Sequence, residues 1–157
     1  MTANHSVFSS CKIGTVKNLT RLKNYDIRWK QRFENFSKAC VLLSEINEYE
    51  LKNTPAIICE GFIQRFEITF ELAWKTVRDY LEYLGHTLHP SPRPVIKEAF
   101  SAKIITNGQA FIDMLDVRNE MSHRYDEETF RKVFSEIKSE FYPAFEELRI
   151  YLKGCIE

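Results

Sequence analysis

Apolar positions recur at helical spacing along most of this chain. Trp29, Phe33, Phe36, Cys40 and Leu43 share one side of a segment that predicts a helix from about Ile27 to Glu48. A second, broader pattern begins after Pro55 and takes in Ile58, Phe62, Phe66, Thr69, Phe70, Ala73, Trp74, Val77, Tyr80, Leu81 and Leu84. Gly85 is placed to end it as a left-handed cap. An apolar face that wide predicts contact on more than one side, as for a central helix or one shared with another subunit.

Ser91 followed by Pro92 signals a helix start, and the spacing predicts a short helix over Val95–Ile105 that ends at the turn Thr106-Asn107-Gly108. A fourth helix is predicted from Gln109 to Ser122, with Phe111, Met114, Leu115, Arg118 and Met121 or Ser122 on one face. Asp126, with Glu127 and Glu128 behind it, caps a last helix running to Ile156. Its stripe is Phe130, Phe134, Ile137, Phe141, Phe145, Leu148 and Leu152. Pro143 lies inside this helix and predicts a kink near Ser139–Glu140, or a gap in the ladder. Four long amphipathic helices and one short one predict an all-α, up-and-down four-helix bundle.

Composition narrows the class. Of 157 residues, 44% are hydrophobic and twelve are Phe, against only five Gly and five Pro, which excludes disorder and a chain of many short strands. No apolar run is long enough to span a membrane, so a soluble protein is expected. Acids and bases number 22 each, but residues 1–25 hold Lys12, Lys17, Arg21 and Lys23 and no acid, leaving 18 basic against 22 acidic groups beyond them. The expected organisation is therefore a flexible basic leader over 1–25 and one helical domain over 26–157. A mildly acidic domain argues against broad nucleic-acid affinity. Cys11, Cys40, Cys59 and Cys155 form no C-x-x-C pair, and with no secretory signal a reducing cytoplasm is the expected location.

The chemistry concentrates in Arg118-Asn119-Glu120-Met121-Ser122-His123-Arg124-Tyr125. Arg118 falls on a core stripe, where a guanidinium needs a partner; it can take a phosphate, or pair with Glu67 or Glu71 on the second helix. His123 is a candidate general acid or base, or else a helix-end or surface residue. It lies five residues past Arg118, about 140° around an ideal helix, so the two converge only if the helix breaks near Ser122 or a second subunit contributes. Tyr125, seven residues past Arg118, would share its side if the helix continued; otherwise it is a core-edge residue. Glu120-x-x-His123 matches one element of a di-metal bundle site, but no second such element exists, and no metal or other cofactor is expected. His5, His86 and His89 have no partner at ligand spacing.

Several segments together resemble the prokaryotic nucleotidyltransferase substrate-binding proteins of the HEPN superfamily, which includes HepT-type toxins. They are Glu60-Gly61 through Trp74-Lys75, Asp79-Tyr80-Leu81, Ser91-Pro92-Arg93, Glu98-Ala99-Phe100 and the Arg118-x4-His123-x-Tyr125 motif, and the likeness covers about residues 27–152. It departs at Pro94, where relatives often carry a Glu. The resemblance implies a homodimer and a minimal nucleotidyltransferase partner encoded nearby. In HepT-like members it implies a metal-independent endoribonuclease toxin, with Arg118 and His123 catalytic at a dimer cleft, RNA as substrate, and Tyr125 accepting adenylyl groups from the partner. Glu67, Glu71 and Glu120 are the supporting candidates. The alternative it leaves is a non-catalytic adapter subunit that binds the nucleotidyltransferase.

Overall fold

The computed structural model describes the backbone of residues 7–156 and side chains from Lys17 to Ile156; His5 and the Cys11 and Lys12 side chains, named above, lie outside the described residues. Six α-helices follow one another: α1 Val7–Ser44, α2 Ala56–Tyr83, α3 Pro92–Ser101, α4 Gly108–Met121, α5 Glu127–Glu136 and α6 Tyr142–Ile156. No strand occurs among the described residues, and the all-α bundle is as expected.

The first helix is the main departure from expectation. It begins at Val7, about five turns before Ile27. Side chains from Lys17 to Asn24 are exposed, so this part has no buried stripe for periodicity to report. Its far end is earlier than expected: α-helix stops at Ser44 and gives way to a 3₁₀ turn over Glu45–Glu48.

α2 ends where its sequence requires. Gly85 has φ +95°, and two hydrogen bonds, His86 N–H to the Leu81 carbonyl at 3.0 Å and Gly85 N–H to that of Glu82 at 3.1 Å, close a Schellman cap. α3 starts at Pro92, a turn earlier than the expected Val95, because prolines suit a first turn whose N–H groups are unpaired anyway. It stops at Ser101, before Lys103 adopts a left-handed φ of 59°, and the buried Ile104 and Ile105 then plug the core without being helical. Asn107 accepts from Ala110 N–H at 3.1 Å and Asp126 from Thr129 N–H at 2.8 Å, capping α4 and α5.

α5 and α6 form one rod joined by a π-helical stretch, Ile137–Phe141. Tyr142 N–H reaches back five residues to the Ile137 carbonyl. Pro143, which has no N–H to give, follows at once, so the ladder widens where the sequence predicted a gap.

α2 is the central helix, packed by α1, α5, α3 and α4, while α1 also meets α6. The width of its apolar face is thus used within one chain. Aromatic rings fill the core: Phe66 stacks on Phe141 with centroids 5.3 Å apart, and Phe111 meets Phe145 edge-on at 5.9 Å. No described helix is long and apolar enough to cross a membrane.

Candidate functional site

Arg118, in the last turn of α4, faces the middle of α2. Its Nη2 lies 2.9 Å from Glu71 Oε2, and its guanidinium stands 5.9 Å from the centre of the Phe70 ring. The Trp74 indole donates to the same Glu71 oxygen at 3.1 Å, and Lys75 Nζ lies 2.6 Å from the other. Glu71 therefore collects every contact that the helical spacing offers it: one turn along to Lys75, three residues along to Trp74, and across to Arg118.

The electrostatics separate the two glutamates. Burial raises the Glu71 carboxyl, but Lys75, Trp74 and Arg118 together outweigh it and hold the group below the usual carboxylate range. Glu67 has no such set. Burial pushes its carboxyl up, and the attraction of Arg118 only partly offsets this. The two glutamates, Arg118 and Ser122 line an open cleft of about 510 Å³ whose apolar wall is Ile68 and Leu72.

His123 and Tyr125 do not join that cleft. α4 ends at Met121, and Ser122-His123 form a turn in which His123 N–H donates to the Glu120 carbonyl at 2.9 Å. The imidazole is exposed and has no hydrogen bond or ion pair among the described residues. The helix does not continue, so Tyr125 does not come round to Arg118. It is 84% exposed, its ring rests edge-on against Phe130 at 5.0 Å, and its hydroxyl donates to Glu60 Oε2 at 2.8 Å. That hydrogen bond, and the charge behind it, raise the phenol above its ordinary value. Glu60 and Glu71 are eleven residues apart on α2, roughly 16 Å along its axis. The Tyr125 hydroxyl and the Arg118 guanidinium thus bind carboxylates three turns apart on α2. Glu120 turns to Arg124 at 3.3 Å instead of supporting Arg118.

Sequence reasoning paired Arg118 with Glu67 or Glu71, and the structure selects Glu71. It missed Glu60 as the tyrosine's partner and Trp74 as a donor to Glu71. Spacing held the signal for Trp74, three residues from Glu71 on one helix; nothing local in the sequence links Glu60 to Tyr125 across 65 positions. No group of three or more His, Cys, Asp or Glu side chains able to hold a metal occurs among the described residues.

Comparison with known proteins agrees with this architecture. A crystal structure of a Thermus thermophilus protein is similar at 28% identity and a TM-score of 0.63, over 78% of this chain and 98% of that one. No curated protein matches the chain. The family described as nucleotidyltransferase substrate binding protein like matches residues 31–153, from the first buried turns of α1 to the last turn of α6, and the chain belongs to that family.

Proposed function

We propose that this protein is the helical substrate-binding, or adapter, subunit of a minimal nucleotidyltransferase. The observation that carries this reading is the state of the two ends of the motif. Arg118 is engaged by Glu71, whereas Tyr125 stands out of the α4–α5 loop, fixed by Glu60 and Phe130 and open to an approaching protein. A half-buried arginine held in an ion pair is a structural group, and an exposed phenol is a contact or an acceptor. Co-expression with the nucleotidyltransferase encoded nearby is expected to give a stable complex by size-exclusion chromatography. With ATP, one or more adenylyl masses are expected on the peptide holding Tyr125, and none in Tyr125→Phe. Failure of the two proteins to associate at about 10 µM, a concentration where an 8 kcal/mol interaction is well populated, overturns the reading.

A second reading, a metal-independent endoribonuclease, is favoured by one feature: the unengaged imidazole of His123 just beyond a cleft that holds Arg118. In that reaction an RNA 2′-hydroxyl gives its proton to a base, attacks the adjacent phosphorus and displaces the 5′-oxygen, which takes up a proton as the cyclic phosphate forms. His123 serves the proton transfers and Arg118 the charge on the phosphorane. The site needs a second copy of the chain to be complete. The exposed Ile68 in the cleft wall, and Ile57 eleven residues before it on α2, are the apolar surface a homodimer would cover. Chelator-resistant cleavage that disappears in a folded His123→Ala protein, together with a dimer mass by light scattering, supports this reading; no cleavage by the dimer ends it.

A further inference from the structure

The first helix reaches beyond the helix that covers it. Trp29 sits against Tyr80 and Tyr83, with ring centres 4.8 and 6.2 Å away, and α2 ends at Tyr83. At that level the buried Asp79 carboxylate accepts from Arg28, Arg32 and Arg78, and Glu82 accepts from Arg28. These three arginines, two from α1 and one from α2, tie α1 to the end of α2. From Tyr25 back to Val7 the helix continues for roughly 27 Å as an arm. The arm lies before residue 31, where the family match begins.

The buried row of α1 runs on into the arm uncovered. Leu22, Trp29, Phe33, Phe36 and Cys40 share one face, with Leu19 at its edge. The last four are core, whereas Leu22 and Leu19 are 46% and 54% exposed. An open cleft of about 510 Å³ separates Leu22 and Tyr25 from the turn Gly85–Leu88. Charge on the arm is one-sided. Lys17, Arg21 and Lys23 are exposed, no acid precedes Asp26, and none of the three makes a salt bridge among the described residues. The opposite pattern lies on α4 and the rod of α5 and α6. Asp113, Val117 and Glu120 stand at i, i+4 and i+7 on α4, which packs against the π-helical stretch; Glu136 and Glu140 are four apart on the rod. Burial, and then the carboxylates of Glu140, Glu120 and Asp113, push the Glu136 carboxyl above its ordinary value, and Lys132 at 4.0 Å only partly offsets them. With Arg124 on Glu120, two cations answer four acids, and the half-buried Val117 lies between Asp113 and Glu120.

We propose that the α1 arm of each chain lies along the acidic face of α4 and the rod in a second copy, so that two chains clasp each other reciprocally. Lys17, Arg21 and Lys23 answer Asp113, Glu120, Glu136 and Glu140, and Leu19 and Leu22 cover Val117. Two arms laid on each other are disfavoured, since each brings three exposed cations and no acid. Nucleic acid is disfavoured too, because the chain beyond residue 25 is net acidic and a phosphate backbone has no use for two leucines. The contact uses other residues than Ile57 and Ile68, and it does not depend on the chemistry of the Arg118 cleft.

Carbodiimide coupling of an equilibrated mixture of isotopically labelled and unlabelled full chains, read by mass spectrometry, tests it. Peptides holding Lys17 or Lys23 are expected to be joined to peptides holding Glu136 or Glu140 of the differently labelled chain. Self-association, followed by light scattering, should weaken at least about tenfold in Arg21→Glu, because a reciprocal dimer carries the change twice. Glu136→Lys should weaken it similarly, and the chain carrying both changes should regain most of it. Lys153→Glu, an equal change of charge on α6, should leave association as it was. If Arg21→Glu is misfolded by circular dichroism, Lys23→Glu carries the test, since its side chain is exposed and makes no salt bridge among the described residues. A strict monomer at about 100 µM, cross-links from the arm only within one chain or only to other surfaces, association unmoved by the charge reversals, or no recovery in the double variant overturns the proposal. Monomeric binding to phosphatidylglycerol vesicles that is lost in Arg21→Glu overturns it as well, and assigns the arm to a membrane surface.

Discussion

Arg118 and Glu71 are bound to each other across α4 and α2, with Nη2 and Oε2 2.9 Å apart, and the same carboxylate oxygen accepts the Trp74 indole N–H. Each charge is about one-third exposed, so the pair lies between a solvated surface bridge and a buried one. A double-mutant cycle with Arg118→Ala and Glu71→Ala, read by urea unfolding, should give a coupling of about 1 kcal/mol, between the values for those two extremes. A coupling indistinguishable from zero means that Arg118 is held by something other than Glu71, and removes the argument that it is a structural group.

The two glutamates of the cleft should titrate stability in opposite senses. Glu67, raised by burial, binds its proton more tightly folded than unfolded, so its ionisation costs stability as pH rises through the raised value. Glu71 is lowered, so its contribution is present above the ordinary carboxylate pKa, about 4.3, and lost as pH falls through the folded value. Glu67→Gln is therefore expected to stabilise the protein at pH 7, with the gain vanishing in acid. Glu71→Gln should destabilise at pH 7, and that loss should shrink below about pH 4.3. Thermal denaturation across pH 3 to 8 distinguishes the two; parallel curves for both variants would contradict the assignment.

Gly85 tests the backbone argument alone. A Cβ built there meets nothing within 4 Å, so the only penalty for a side chain is its positive φ of 95°. Gly85→Ala should cost about 1 kcal/mol in urea unfolding, and Gly85→Asn less, because asparagine tolerates the left-handed region better. Equal stability of all three proteins would mean that the cap rearranges at no cost.

Tyr125 should titrate above an ordinary phenol, because its hydroxyl donates to the Glu60 carboxylate. The difference between the ultraviolet titrations of the wild type and Tyr125→Phe isolates this one ring. Glu60→Gln removes the charge and should bring the midpoint down toward the ordinary phenol value. A midpoint unmoved by Glu60→Gln would mean that the hydrogen bond is not kept in solution.

The amino-acid sequence by itself determined the bundle. Stripes such as Phe62, Phe66, Phe70 and Phe130, Phe134, Phe141 declare which faces are buried, and Gly85, Asn107, Asp126 and Pro143 act on the backbone within a few residues of themselves. These are local instructions, legible without partners. The start of α1 was illegible for the same reason, since the exposed stretch from Lys17 to Asn24 leaves no periodic trace. Tertiary structure alone decided which side chains meet. Arg118 had two glutamates within reach, and the choice of Glu71 depends on the register of α4 against α2. Tyr125 would share the side of Arg118 only on a continued helix; α4 stops at Met121, and the loop delivers the phenol to Glu60 on α2. The three arginines around Asp79 come from two helices whose pairing only the packed core sets. Contacts between residues far apart in the chain depend on register and on where helices end, and those follow from how the cores fit together.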